Sequence, residues 1–244
     1  MTDQDIRVPA AGLTAMLTRV FRAAGGSGAE AHAIAANLVE ANLAGHDSHG
    51  VIRTQRYLWW QAQGTLNFGR TAETVLDAPG FALIEGHQGF GQTIGPQAVA
   101  LGTAKARANR FAVIGLRNAG HLGRIGAFAE TACAEGLISI HFVNVGNSVL
   151  VAPFGGAERR MATNPVCIGV PHAEGDFILD FATSKVAEGK ILVARKGRKP
   201  APKDSLIGPD GALSDDPDVL YGPEVPGKVD NPRDGPGALA PMGE

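Results

Sequence analysis

The stretch FALIEGHQGFGQTIGPQAVALGTAKARANRFAVIGL, Phe81 to Leu116, decides the fold. Its two ends, FALIEG and FAVIGL, are short, apolar and rich in branched or aromatic residues, as strands buried on both faces are. Pro96 to Arg110 between them reads as a helix. The joint GFGQTIG, Gly89 to Gly95, follows a strand and precedes a helix, which is where a dinucleotide fingerprint would stand. Its spacing is GxGxxxG, not GxGxxG, and no acidic residue lies at the expected distance on a second strand end. It therefore reads as a tight turn, not a Rossmann phosphate loop.

Downstream, LISIHFV, VCIGVP and FILDFAT are further strand candidates, and Ile125 to Glu135 and Ser184 to Ala194 read as helices. The alternation makes an α/β layer architecture and on its own suggests a parallel, doubly wound sheet. Upstream the texture is helical. Leu13, Met16, Leu17, Val20, Phe21 and Ala24 recur at the three-and-four spacing of one apolar face, and Gly25 and Gly26 stop it. Ser27 with Glu30 reads as a capping box, in which each side chain satisfies a backbone N–H. A second helix carries Ile34, Ala35, Leu38 and Asn42. After the polar loop GHDSHG, a third runs from Val51 to Gln63, with Gly64 placed for a left-handed cap.

From Gly197 to the end, 17 of 48 residues are Gly or Pro and Tyr221 is the only aromatic. That segment is expected to make no core of its own. The organisation is thus a helical N-terminal lobe over 1–75, an α/β region over 76–196 and a Gly/Pro-rich segment over 197–244.

With 22 basic and 24 acidic residues the net charge is −2. No run of Lys or Arg could track a phosphate backbone, so nucleic acid is not an expected partner. Cys133 and Cys167 lack the spacing of a zinc or redox site and read as small apolar residues. His46 and His49 are the only close histidine pair, and no Cys or carboxylate cluster completes a metal site. The opening MTDQDIRVPA has no basic region followed by an apolar one, and no apolar run reaches spanning length. A cytoplasmic location without membrane association is expected.

The strongest cluster is AGHDSHGVIRTQRY, Ala44 to Tyr57. On a helix starting near Gly50, Arg53 and Tyr57 lie four apart on one face, with His49 just before the first turn on the same side. This suits a 2-oxo acid: the guanidinium takes the carboxylate as a fork, and histidine exchanges a proton with the oxygen on C2. The same spacing also suits a capped helix with a solvated arginine and a half-buried tyrosine.

In NAGHLGRIG, Asn118 to Gly126, the glycines let the backbone pass close to a ligand, and the helix that follows favours an anion at its N-terminus. His121 would face that ligand, or the segment is a glycine-rich turn with a surface histidine. At the end of FILDFAT, Asp180 stands before Ala182, Thr183 and Ser184, and the local reading there is that Thr183 or Ser184 caps the next helix.

In this order HDSHGVIR, the GFGQ turn, GHLGRIG, VAPFGG, TNPVCIGVP and LDFATSKVAEGK resemble the malate/L-lactate dehydrogenase family, the non-Rossmann group of NAD(P)-dependent 2-hydroxy-acid dehydrogenases. The resemblance implies a homodimer, with a helical lobe and a cofactor domain on a mixed, largely antiparallel sheet. It gives His49 the proton exchange, supported by Ser48 and oriented by Asp180. It places Arg53, Tyr57 and His121 at the substrate. It places Gly123, Arg124 and Ile125, with His49 and the strand end Asp180, Phe181, Ala182 and Thr183, at NAD or NADP. Many members have His-Phe-Gly where this chain has His121-Leu122-Gly123, which bears on the acid that fits. Members also continue beyond the point where this chain stops. The resemblance therefore implies a truncated chain, with the apolar faces near Leu13 and Ile34 left uncovered, expected to be aggregation-prone or only partly folded and to turn over little or no substrate.

The resulting expectation is hydride transfer between NAD(P) and C2 of a small 2-hydroxy or 2-oxo acid such as malate or lactate. Two rivals stand beside it: a non-catalytic remnant serving as a ligand-binding or dimerisation module, and a reductase of cyclic imine-2-carboxylates using the same carboxylate fork.

Overall fold

The computed structural model describes residues 7–146, 148–223 and 233–243. The chain divides into two units, Met1–Arg124 and Ile125–Glu244. The boundaries expected near 75 and 196 fall inside them.

In the first unit, α1 (Ala10–Ala23) packs against α2 (Gly28–Leu43). Ser27 caps α2 as expected, its hydroxyl accepting the Glu30 N–H at 3.2 Å. The reciprocal half of the capping box is replaced by a longer-range contact. The buried Glu30 carboxylate instead accepts the Gly69 N–H at 3.0 and 3.2 Å, fastening a distant loop to the start of the helix. Asp47–His49 and Val51–Arg53 form two 3₁₀ turns, and the α-helix expected from Val51 begins only at Thr54, as α3 (Thr54–Ala62). Gly64 has φ of 71°, the left-handed cap that the sequence calls for.

Leu17, Phe21, Ile34, Leu38, Tyr57, Leu66 and Phe90 form one core. Each such side chain, fully buried, contributes about 1.5–3 kcal/mol of transfer free energy. The α2 face is thus covered within its own unit, while α1 buries Leu17 and Phe21 but leaves Met16 exposed, so the expectation that these faces would lie bare is corrected in part.

The strand, helix, strand unit is β2 (Phe81–Glu85), α4 (Gly91–Asn109) and β3 (Val113–Arg117), with β2 and β3 parallel. An additional strand, β1 (Glu73–Ala78), runs antiparallel along β2. Its residues are exposed throughout, so it lacks the apolar alternation by which strands are recognised.

In the second unit, α5 (Gly126–Ala134) lies on an antiparallel sheet of β4 (Ser139–Phe142), β5 (Val166–Val170) and β6 (Phe177–Phe181). Cys167 and Gly169 of β5 face the helix; a Cβ at Gly169 would stand 3.0 Å from both Ala129 Cβ and Cys133 Sγ. The opposite face carries Ile140, Phe142, Phe177 and Leu179, all exposed, with Phe142 at 78 %. These strands alternate and are not buried on both faces. Exposed apolar side chains are thus gathered on this sheet face, beside single ones such as Met16 and Leu43 on the N-terminal helices.

Beyond α6 (Glu188–Lys196), β7 (Leu206–Ile207) pairs antiparallel with β8 (Leu213–Ser214) and β9 (Ala238–Leu239), and α7 (Asp218–Tyr221) stands between the last two in sequence. Leu206, Leu220, Tyr221 and Leu239 are fully buried, and Ile207, Ala238 and Ala240 pack with Ala152. The Gly/Pro-rich segment therefore joins a core that it shares with an earlier stretch of the chain. Among the described residues five of the six strand pairings are antiparallel, so the doubly wound parallel sheet suggested by the alternation is not formed there.

Candidate active site

The first unit gathers His49, Arg53, Tyr57 and His121. Asn42, on the last turn of α2, fixes the loop that carries His49. Its side-chain oxygen accepts the Val51 N–H at 2.8 Å and its amide donates to Asp47. Gly50 lies against that side chain, where a Cβ would be 2.1 Å from Asn42 Oδ1. The buried Ser48 presents Oγ to His49 Nδ1 at 2.9 Å, and Arg53 Nε donates to the Ser48 carbonyl oxygen. The two imidazoles of His49 and His121 stack with centroids 5.3 Å apart.

Tyr57 is completely buried, with Phe90 edge-on and Trp60 stacked, and its hydroxyl lies 2.7 Å from His121 Nδ1. Burial pushes its phenol up to about 12, against smaller lowering effects of Arg53 and a hydrogen bond from Gln92. Desolvation by its surroundings, then the positive charge of Arg53 and then His49, hold His121 well below the ordinary histidine range. A buried cation thus stands beside a neutral phenol and a neutral imidazole. Such a set suits an anionic ligand with a polar oxygen next to its charge.

The His121 loop is seated by glycines. Gly120 donates its N–H to the Gly89 carbonyl at 2.7 Å. Gly123 has φ of 78°, and a Cβ there would meet Asn37 Oδ1 at 2.5 Å. Arg124 is buried and pairs with Glu40 of α2 at 3.1 Å. Gln92, which sequence reading passed over, touches both Tyr57 and His121. The signal was the GFG pattern just before it, read only as a turn.

The remaining residues expected at the site belong to the second unit. Ile125 is buried at the start of α5. The Asp180 carboxylate accepts the Gly126 N–H at 2.7 Å, so the anion favoured at this helix N-terminus is supplied by the chain itself. Phe181 ends β6 and Ala182 follows it. Thr183 gives its N–H and its hydroxyl to the Thr163 carbonyl at 2.9 and 3.0 Å, and Ser184 donates to the Val186 carbonyl. Neither caps α6, which starts four residues beyond Ser184 with Ala187 in the cap position; the capping reading is corrected, because the strand turns through its own loop before the helix begins. Among the described residues no group of three or more His, Cys, Asp or Glu is placed to hold a metal ion, and no helix is long and apolar enough to cross a membrane.

The sequence profile of malate/L-lactate dehydrogenases matches residues 8–244. Hydroxycarboxylate dehydrogenase B of Escherichia coli K12 is 40 % identical over 215 residues, which is 88 % of this chain and 60 % of the relative. The structure of malate dehydrogenase from Pyrococcus horikoshii OT3 superposes with a TM-score of 0.82 at 32 % identity, over 98 % of this chain and 61 % of that one. Sulfolactate dehydrogenase from Methanocaldococcus jannaschii gives a TM-score of 0.80 at 29 % identity, over 98 % of this chain and 64 % of its own. The chain therefore spans somewhat under two thirds of the length of these relatives. A profile match over nearly every residue, joined to the same mixed, largely antiparallel architecture, makes this chain a member of the malate/L-lactate dehydrogenase family.

Proposed function

We propose that this chain carries the substrate and proton-transfer machinery of an NAD(P)-dependent 2-hydroxy-acid dehydrogenase. The observation that supports it most is the buried Arg53 beside two groups kept neutral, Tyr57 and His121, with His49 stacked on the latter. Arg53 takes the carboxylate of a small 2-oxo acid as a fork. His121 and Tyr57 orient the acid. His49 gives its proton to the carbonyl oxygen as C2 is reduced, and takes it back in the reverse direction. Ser48 holds the His49 ring through Nδ1.

None of these side chains can carry a hydride, so the chemistry of the set fits a nicotinamide bound beside it. NADH or NADPH, when bound, supplies the hydride to C2. In the first unit, Gly123 and Arg124 would hold it, with His49 at its edge. The proposal extends to a homodimer in the cytoplasm, acting on malate, lactate or a related hydroxycarboxylate.

The test is to mix the chain with NADH or NADPH and a series of 2-oxo acids, with a cyclic imine-2-carboxylate in parallel, and to follow cofactor oxidation. Oxidation with 2-oxo acids supports the reading, and oxidation with the imine alone favours the imine reductase. A melting temperature unmoved by either cofactor, with no turnover, would leave a non-catalytic module.

A further inference from the structure

Gln92 stands in the first turn of α4 and is 4 % exposed. Its Nε2 lies 3.2 Å from the His121 carbonyl oxygen and 3.0 Å from Tyr57 Oη. A carbonyl oxygen only accepts, so the main chain itself decides which end of the amide faces it, and that end is the nitrogen. An amide nitrogen only donates, so Tyr57 Oη accepts from Gln92.

The phenol has a single proton, and His121 Nδ1, 2.7 Å away, is the atom placed to receive it. In the opposite arrangement Nδ1–H would also donate to Oη. The hydroxyl would then take two donors and leave its own proton without an acceptor among the described residues, at a fully buried position. Nδ1 therefore keeps its lone pair, and the ring proton stays on Nε2.

The approach that permits this depends on Gly91. A Cβ there would stand 2.4 Å from the His121 carbonyl oxygen and 2.6 Å from Leu122 Cα, so only glycine brings the start of α4 this close to the His121 backbone. Gln92 Oε1 is meanwhile buried, with no hydrogen-bond partner among the described residues.

We infer that Gln92 is a positioning residue, whose amide sets the direction of the Tyr57 hydroxyl and thereby locks His121 as the neutral tautomer with its proton on Nε2. His121 then offers its ligand an N–H donor and not a lone pair, and proton exchange falls to His49. The catalytic consequence rests on the proposed function; the tautomer does not.

The experiment labels histidine with ¹⁵N in the full chain and reads the two ring nitrogens of His121, assigned by the loss of their signals in His121→Gln. At neutral pH the wild type should show a bare Nδ1 and a protonated Nε2. In Gln92→Leu the two signals should move toward a mixture of tautomers, and Tyr57→Phe, a second variant in case the first does not fold, should do the same. In 2-oxo acid reduction Gln92→Leu should lower kcat/KM on the order of tenfold, as for the loss of one oriented hydrogen bond, with the nicotinamide KM little changed. A protonated Nδ1 in the wild type overturns the inference whatever the variants do. So does an Nε2 tautomer that persists in both variants. Absence of turnover in a wild type with the expected tautomer counts against the proposed function and not against this inference.

Discussion

Arg53 Nε donates to the Ser48 carbonyl oxygen over 2.6 Å, which ties the guanidinium to the residue just before His49. Arg53→Lys keeps the charge but loses both this bond and the planar fork. The expected outcome is a raised KM for the 2-oxo acid with the cofactor KM little changed. Steady-state kinetics with each reactant varied in turn decide it. A change confined to the cofactor would mean that Arg53 serves the other ligand.

His49→Ala removes the proposed proton carrier while Ser48 stays buried. Turnover should fall by roughly 10²–10⁴-fold, the usual worth of a positioned general acid. Single-turnover measurements with saturating cofactor would show the loss in the chemical step, and a near-normal rate would move proton exchange to another group.

The pH dependence of stability follows from two histidines. Desolvation and nearby positive charge hold folded His121 well below 6.5, and desolvation lowers His141, partly opposed by Asp180. Each is neutral in the folded state where the unfolded chain already binds a proton. Stability is therefore full above the unfolded value and is lost as pH falls below it toward the folded values. Denaturant midpoints should drop between about pH 7.5 and about pH 5.5, with a smaller drop in His121→Gln. A midpoint that rises on acidification would contradict the sign.

Arg159 gathers the carbonyl oxygens of Leu220, Arg233, Gly235 and Gly237 at 2.6–3.0 Å. One guanidinium thus clasps both α7 and the approach to β9. A lysine cannot reach four acceptors from one plane, so Arg159→Lys should cost at least about 2 kcal/mol and expose this region to proteolysis. Equal protease resistance in variant and wild type would show the clasp to be dispensable.

The bare face of the β4, β5 and β6 sheet should drive self-association of this chain at rising concentration, since contiguous apolar surface of that kind is rarely left in water. Replacing Phe142 and Ile140 together by Thr keeps strand-forming residues and removes the apolar area. Sedimentation should then show a smaller weight-average mass with the melting temperature preserved. No change in mass would place the contact elsewhere.

Much of the architecture was legible because it rests on local rules. The periodicity of Leu17, Phe21, Ile34 and Leu38 announced two helices with one buried face, and Gly64 its cap. The runs FALIEG and VCIGVP announced strands. The Ser48-His49 turn and the Arg53, Tyr57 spacing marked one side of the site. Strand β1 escaped because its residues are all exposed, and the buried core within the Gly/Pro-rich segment escaped because its partner, Ala152, lies far away in sequence.

The sequence by itself determined the family and most of the longer helices and strands, since these follow from side-chain chemistry and from periods of two and 3.6. Tertiary structure alone decided that β2 and β3 are parallel while the other pairs are antiparallel, and that Asp180 occupies the N-terminus of α5. It also decided that Gln92, Tyr57 and His121 share one chain of hydrogen bonds. The physical reason is range: a hydrogen bond between residues 64 apart leaves no local pattern, and its direction is fixed only when a third group, here a main-chain carbonyl, stands within reach of both.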